Sequence, residues 1–117
     1  MLKKIIHVDN SNFFRKLVKT TLAEFGHISE NTDSGKETLD YLKNGTAEAI
    51  IMGMSLNDMT GEDLLKEILL LPNKIPVIVL TSNNDTEEKE KILKMGFTTY
   101  ISKSENWQEL LEKALQF

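Results

Sequence analysis

Asp9, Thr81 and Lys103 are the side chains of this 117-residue chain whose types could do chemistry together. Each follows or closes a short apolar run. Asp9, with Asn10 beside it, follows Ile5-Ile6-His7-Val8; Thr81, with Ser82, follows Val77-Ile78-Val79-Leu80; Lys103 follows Thr99-Tyr100-Ile101-Ser102. A carboxylate can bind a cation or activate a nucleophile, a hydroxyl can donate to an anion, and a lysine can pair with one. A fourth run, Ala49-Ile50-Ile51-Met52-Gly53-Met54, has at its end a residue with no side chain. A polar residue after a strand is commonly a turn or cap residue. The set acquires meaning only if the fold brings these ends together.

The elements that would do so are legible. Short β-rich runs alternate with helical patterns. Leu2 to Val8 predicts a strand. Asn12 to Phe25 predicts a helix, since Phe14, Leu17, Val18, Thr21, Leu22 and Phe25 recur on one helical face, and Gly26 stops it. His27 to Asn31 is a weak second strand. Ser34 with Glu37 has the form of a capping box and opens a helix to about Lys43, closed by Asn44-Gly45. The strand Ala49 to Met54 is followed by a helix with Thr60 as N-cap and Leu64, Leu65, Ile68 and Leu71 inward. Pro72 and Pro76 bracket its exit. Val77 to Leu80, continuous and β-branched, predicts a strand covered on both faces. Asp85 caps a fourth helix ending near Met95-Gly96. Thr99 to Ser102 is the fifth strand, and Trp107, Leu110, Leu111 and Ala114 are the stripe of a last helix. Five βα units predict a doubly wound α/β fold, flavodoxin-like, (βα)5, with a parallel five-stranded sheet and helices on both faces. In such a sheet, ligands collect at the carboxyl ends of the strands, where Asp9, Gly53, Thr81 and Lys103 stand.

Composition narrows the function. With 14 Lys+Arg against 18 Asp+Glu the net charge is -4, which argues against direct binding to nucleic acid or an anionic membrane. There is no cysteine, hence no thiolate chemistry. No apolar run approaches the length of a membrane span, and the N-terminal apolar stretch is too short for a signal segment. One domain over residues 1–117 and a cytoplasmic setting are expected. Lys3-Lys4 reads as a solvated edge.

At these residues the chain resembles the receiver domain of two-component response regulators, over almost all of its length. Ile5-Ile6-His7-Val8-Asp9-Asn10-Ser11 resembles the family's first strand and acidic pair. Ile50 to Gly61 resembles the segment that carries the phospho-accepting aspartate. Ile75 to Ser82 resembles the fourth strand with its switch hydroxyl, Thr81. Tyr100-Ile101-Ser102-Lys103 resembles the switch aromatic followed by the family's lysine. The resemblance implies a carboxylate that takes a phosphoryl group with Mg²⁺ neutralising the developing charge, a lysine on the phosphoryl oxygens, and a threonine and aromatic that move in response.

Four positions depart from that pattern. Gly53 stands at the nucleophile position and cannot form an acyl phosphate. Asn10 stands at the second acid, the usual direct Mg²⁺ ligand, and brings no charge. Asn57 and Ser104 stand where proline is usual. No catalytic residue or cofactor is therefore expected, and the Mg²⁺ site, with Asp9 and Asn10 as its vestige, is expected to be lost or weak. Several departures in one pocket point to natural decay or repurposing rather than one engineered substitution. Asp58 reads as a solvated turn residue and Ser55 as a backbone position, neither a displaced acceptor.

The reading is a pseudo-receiver in a phosphorelay, not an enzyme, acting as a phosphorylation-independent protein-interaction module. The alternatives are an ordinary receiver substituted at Gly53, and a small-ligand or flavin-binding flavodoxin-like domain. The last would need a Ser/Thr/Gly-rich phosphate loop after strand one, where Asp9 would repel phosphate. The resemblance implies signalling-protein partners on the face of helix 4, strand 5 and helix 5, roughly residues 85–95 and 99–117: a histidine kinase, an output domain or another receiver, with a homodimer as a further option. A His7–His27 metal site lacks further ligands at metal spacing. Met52, Met54, Met59 and Met95 read as core, and Trp107 as an anchor packed on the sheet.

Overall fold

The computed structural model describes residues 3–72, 74–82, 85–96, 98–104 and 106–117. Five strands and five helices alternate: β1 Lys4–Val8, α1 Asn12–Glu24, β2 Ile28–Thr32, α2 Gly35–Asn44, β3 Ala49–Met52, α3 Gly61–Leu69, β4 Val77–Thr81, α4 Thr86–Leu93, β5 Thr98–Ser102 and α5 Trp107–Ala114. All pairings are parallel, in the order β2-β1-β3-β4-β5. The chain reverses direction across the sheet between β1 and β3, so their carboxyl ends open a crevice there.

Strand alternation sorts the core into two layers. Ile5, Ala49, Ile51, Ile78, Leu80 and Ile101 face Val18 and Leu22 of α1 and Trp107, Leu111 and Leu115 at α5. Val8, Ile50, Met52, Val77 and Val79 face Leu64, Leu65 and Ile68 of α3 and Ile92 of α4. Each fully buried aliphatic side chain contributes about 1.5–3 kcal/mol of transfer free energy. β3 and β4 are buried at every residue, which is why they read as unbroken apolar runs.

The helix starts follow side-chain oxygens: Ser11, Ser34, Thr60 and Asp85 each accept a backbone N–H from the first turn they precede. α1 ends on Gly26 at φ +86°, a conformation costly for a side chain.

Several expectations need correction. The capping box at α2 is half formed. Ser34 Oγ accepts from Glu37 N, but Ser34 N donates to Thr32 Oγ1 and the Glu37 carboxylate takes the Tyr41 hydroxyl. β3 stops at Met52: Gly53 N still bonds to Val8 O of β1, but Met54 O accepts from Gly61 N and closes the loop into α3. Leu110 is not in the α5 stripe but 38% exposed; the buried positions are Trp107, Leu111 and Leu115. Lys3 is buried, its ammonium over the Phe117 ring at 4.7 Å, whereas Lys4 is exposed. The start of β1 at Leu2 lies outside the described residues.

Candidate functional site

The carboxyl ends of β1, β3, β4 and β5 enclose a cavity of about 300 Å³. Asp9, Asn10, Gly53, Thr81, Ser82 and Lys103 are among its lining residues, with Met54, Ser55, Leu80 and Glu88. The sequence-derived positions Asp9, Asn10, Gly53, Thr81 and Lys103 are thus brought together from four strand ends. Backbone hydrogen bonds lock this rim: Gly53 N donates to Val8 O at 2.8 Å and Lys103 N to Thr81 O at 2.7 Å.

Asp9 is the best-held group in the cavity. It is 3% exposed. Its Oδ1 accepts from Ser11 N at 2.9 Å and its Oδ2 from Lys103 Nζ at 3.0 Å. The Arg15 guanidinium anchors the Asp9 carbonyl at 2.6 Å. Lys103 is correspondingly engaged on two sides, by Asp9 and by the Phe14 ring, 3.8 Å from Nζ to the centroid. The carboxylate leans toward Gly53. A Cβ on residue 53 would meet Asp9 Oδ2 at 3.1 Å and Cγ at 3.2 Å.

These residues fit Mg²⁺ poorly. Each Asp9 oxygen already accepts a hydrogen bond, Oδ2 from the competing Lys103 cation, Asn10 is uncharged, and Gly53 brings no side-chain ligand. Among the described residues no group of three or more His, Cys, Asp or Glu is placed to hold a metal ion. His7 and His27 do not form a pair, because the β1–β2 register sets His7 opposite Asn31 and places His27 beside Lys3, to whose N–H its Nδ1 is bonded. Burial, then the nearby Lys3 charge, lowers the His27 pKa. His7 is fully buried, and burial above all holds its pKa down to about 4, against a smaller upward pull from Asp9.

Tyr100, on β5, is partly buried and donates its hydroxyl to Glu88 of α4 at 3.2 Å. Burial first, then the Glu88 charge, pushes its pKa up to about 12. Glu88 also lines the cavity, so the aromatic is tied to its wall through a residue that sequence reading passed over. Nothing in local sequence marks Glu88, since it reads as one more acid in a helix start.

Asp58 is more than a solvated turn residue. It is exposed, but it accepts from Ser34 Oγ, Gly35 N and Lys36 N, capping α2 from the β3–α3 loop. These bonds, the Lys36 amide's first, lower its pKa. Asn57 adds bonds to the Asp33 backbone carbonyl and side chain. The loop after β3 is therefore tied to the loop before α2 without the usual proline. Met52 is buried, and Met54, Met59 and Met95 pack against the α3/α4 side of the core.

A family model described as response regulator receiver domain matches residues 5–115. A chemotaxis protein CheY homolog of Campylobacter jejuni is 31% identical over 114 residues, covering 94% of this chain and 88% of that protein. The transcriptional regulatory protein ZraR of Escherichia coli is 28% identical over 95% of this chain but only 26% of its own length. Among solved structures, the chemotaxis response regulator CheY4 of Vibrio cholerae superposes with TM-score 0.88 at 25% identity, covering 98% of this chain and all of that one. A CheY-like receiver domain protein of Methanospirillum hungatei gives 0.84 at 28% identity, covering 97% and 90%. No helix among the described residues is long and apolar enough to cross a membrane. Five parallel strands in this order, a cavity at their carboxyl ends and a family match over nearly the whole chain make this protein a member of the response regulator receiver domain family of two-component signalling.

Proposed function

We propose that this receiver has left phosphotransfer and works as a phosphorylation-independent protein-interaction module, not as an enzyme. The observation that carries the reading is the pairing at the acceptor position. Residue 53 is glycine, and the Asp9 carboxylate lies against the space its side chain would take, already neutralised by Lys103. Position 53 thus offers no nucleophile, and Lys103 has an internal partner. An acyl phosphate requires a carboxylate free to attack and a cation free to meet the incoming oxygens.

A cytoplasmic setting and partners drawn from signalling proteins belong to the same proposal. The partner surface is the face of α4, β5 and α5, where Leu93 and Leu110 are exposed. Such contacts would be governed by partner concentration rather than by a phosphoryl input.

Incubation with acetyl phosphate and Mg²⁺, followed by intact-mass measurement, is expected to leave the mass unchanged. An acid-labile adduct of about 80 Da, one phosphoryl group, would overturn the proposal. Titration with Mg²⁺ followed by Trp107 fluorescence is expected to show no saturable change at low millimolar concentrations; a saturable response would restore the ordinary metal-dependent reading.

A further inference from the structure

Asn44-Gly45 closes α2, and it is the one place in the chain where an asparagine precedes a glycine. That pairing sets an electrophile beside a nucleophile. The Asn44 side-chain amide carbon is open to attack by the backbone nitrogen of residue 45, and a glycine there has no Cβ to hinder the approach. The reaction further needs a nitrogen not held in a hydrogen bond, room to close a five-membered ring, and water.

The end of α2 meets these needs. Asn44 and Gly45 are both exposed. The caps of α1, α3, α4 and α5 each bond their backbone N–H back to carbonyls of the last turn, whereas the Gly45 N–H closes no well-formed hydrogen bond. Gly45 is extended, at φ -150° and ψ -170°, so the chain leaves the helix at this residue. Both residues line a hollow of about 150 Å³ with Lys4, Glu30 and Tyr41. A Cβ on Gly45 would lie 3.9 Å from Lys4 Nζ. Lys4 has no ion-pair partner among the described residues. Its ammonium thus stands beside the reacting nitrogen, where it favours the negative charge that develops as the N–H proton is lost.

We propose that Asn44 is a site of spontaneous deamidation built into the end of α2, with Lys4 promoting the attack and receiving the product carboxylate. Hydroxide takes the Gly45 amide proton, and the Gly45 nitrogen bonds to Asn44 Cγ. The bond from Cγ to the side-chain nitrogen breaks, and that nitrogen leaves as ammonia with a proton from water. Water then adds to one of the two carbonyls of the succinimide and opens the ring to aspartate or isoaspartate. No oxidant or reductant takes part. One new carboxylate moves the net charge from -4 to -5. It stands at a helix C-terminus, where the dipole disfavours it, and isoaspartate lengthens the main chain by a methylene, so the last turn of α2 loosens. The hollow lies at the amino ends of β1 and β3, away from the strand-end cavity, so the change is independent of phosphotransfer.

The test is incubation of the folded chain at mildly alkaline pH, read by intact mass and peptide mapping. A gain of about 1 Da at Asn44, with part of the product labelled by an isoaspartate methyltransferase, is expected. Gly45→Ala should slow the reaction by about tenfold or more, because its Cβ hinders the attack. Lys4→Met should slow it by about twofold or more in the folded protein and not in concentrated urea, where the two residues are no longer neighbours. A folded protein that keeps its mass, or that reacts at other asparagines and spares Asn44, would overturn the proposal. Reaction at Asn44 in urea but not in buffer would overturn it equally, since the fold would then protect the site. An unchanged rate in folded Lys4→Met would overturn the part assigned to Lys4.

Discussion

The carboxylate of Asp9 stands against the side of Gly53 from which a side chain would project: a Cβ on residue 53 would lie 3.1 Å from Asp9 Oδ2. That distance is tight rather than prohibitive, and the atom it meets carries charge. Gly53→Ala should therefore fold, with a stability within about 1 kcal/mol of wild type, because the lost glycine freedom in the unfolded chain offsets the crowding. Gly53→Asp differs in kind. It sets a second carboxylate beside a buried one that has a single lysine to share, and like charges at this range disfavour each other. It should lower stability by about 1–3 kcal/mol at pH 7, with a smaller deficit near pH 4. Urea denaturation of both variants at the two pH values checks this. Phosphorylation of Gly53→Asp by acetyl phosphate should be incomplete, since Asn10 still withholds a charged metal ligand.

Asp9 and Lys103 form the most buried of the described ion pairs, with side chains 4% and 19% exposed. A cluster of acids without counter-charge is strained, and removing one acid from it stabilises a protein. Here the acid is matched, so the sign reverses. Asp9→Asn strips Lys103 of its partner and should cost about 1–3 kcal/mol, below the range for a fully buried pair because water reaches Lys103. A rise in melting temperature for Asp9→Asn would show that the pair is not net stabilising.

The fold was legible because its signals are local and repeated. Val77 to Leu80 is β-branched and apolar throughout, and Thr60 and Asp85 sit where helices need caps. The pocket positions were legible because strand ends converge in any parallel sheet. What stayed hidden depends on tertiary approach. Asp58 caps a helix 22 residues earlier in the chain, Lys3 is covered by the far terminus, and Glu88 meets Tyr100 from a neighbouring element. Leu110 fitted the periodicity of α5, but the helix is rotated so that Leu111 and Leu115 take the core. No spacing within one element encodes such contacts.

Asp58 yields a prediction of its own. It supplies oxygens to two backbone N–H groups at the start of α2 and to the Ser34 hydroxyl. Asp58→Ala should cost about 1 kcal/mol, the usual loss for a helix cap, and Asp58→Asn less. Its lowered pKa adds a sign. The stabilisation is present above the ordinary carboxylate pKa and fades as pH falls through the lower folded value. The gap between wild type and Asp58→Ala in chemical denaturation should therefore shrink in acid.

His7 makes the largest pH prediction. It is fully buried on β1, between Asn31 of β2 and Ile51 of β3, and neither ring nitrogen has a hydrogen-bond partner among the described residues. Burial holds its pKa at about 4 against an ordinary 6.5, so the folded protein keeps the imidazole neutral while the unfolded chain protonates it. Between those values the unfolded state binds more protons. Stability is thus fully present above pH 6.5 and is lost as pH falls toward 4, by about 3 kcal/mol at the limit. His7→Leu removes this term and two unsatisfied polar atoms, so it should be neutral or stabilising at pH 7.5. Its advantage over wild type should then widen as the pH is lowered to 4.5. Urea midpoints of the two proteins at pH 7.5, 5.5 and 4.5 decide the matter: parallel curves would mean that the buried imidazole is not what makes the fold acid-sensitive.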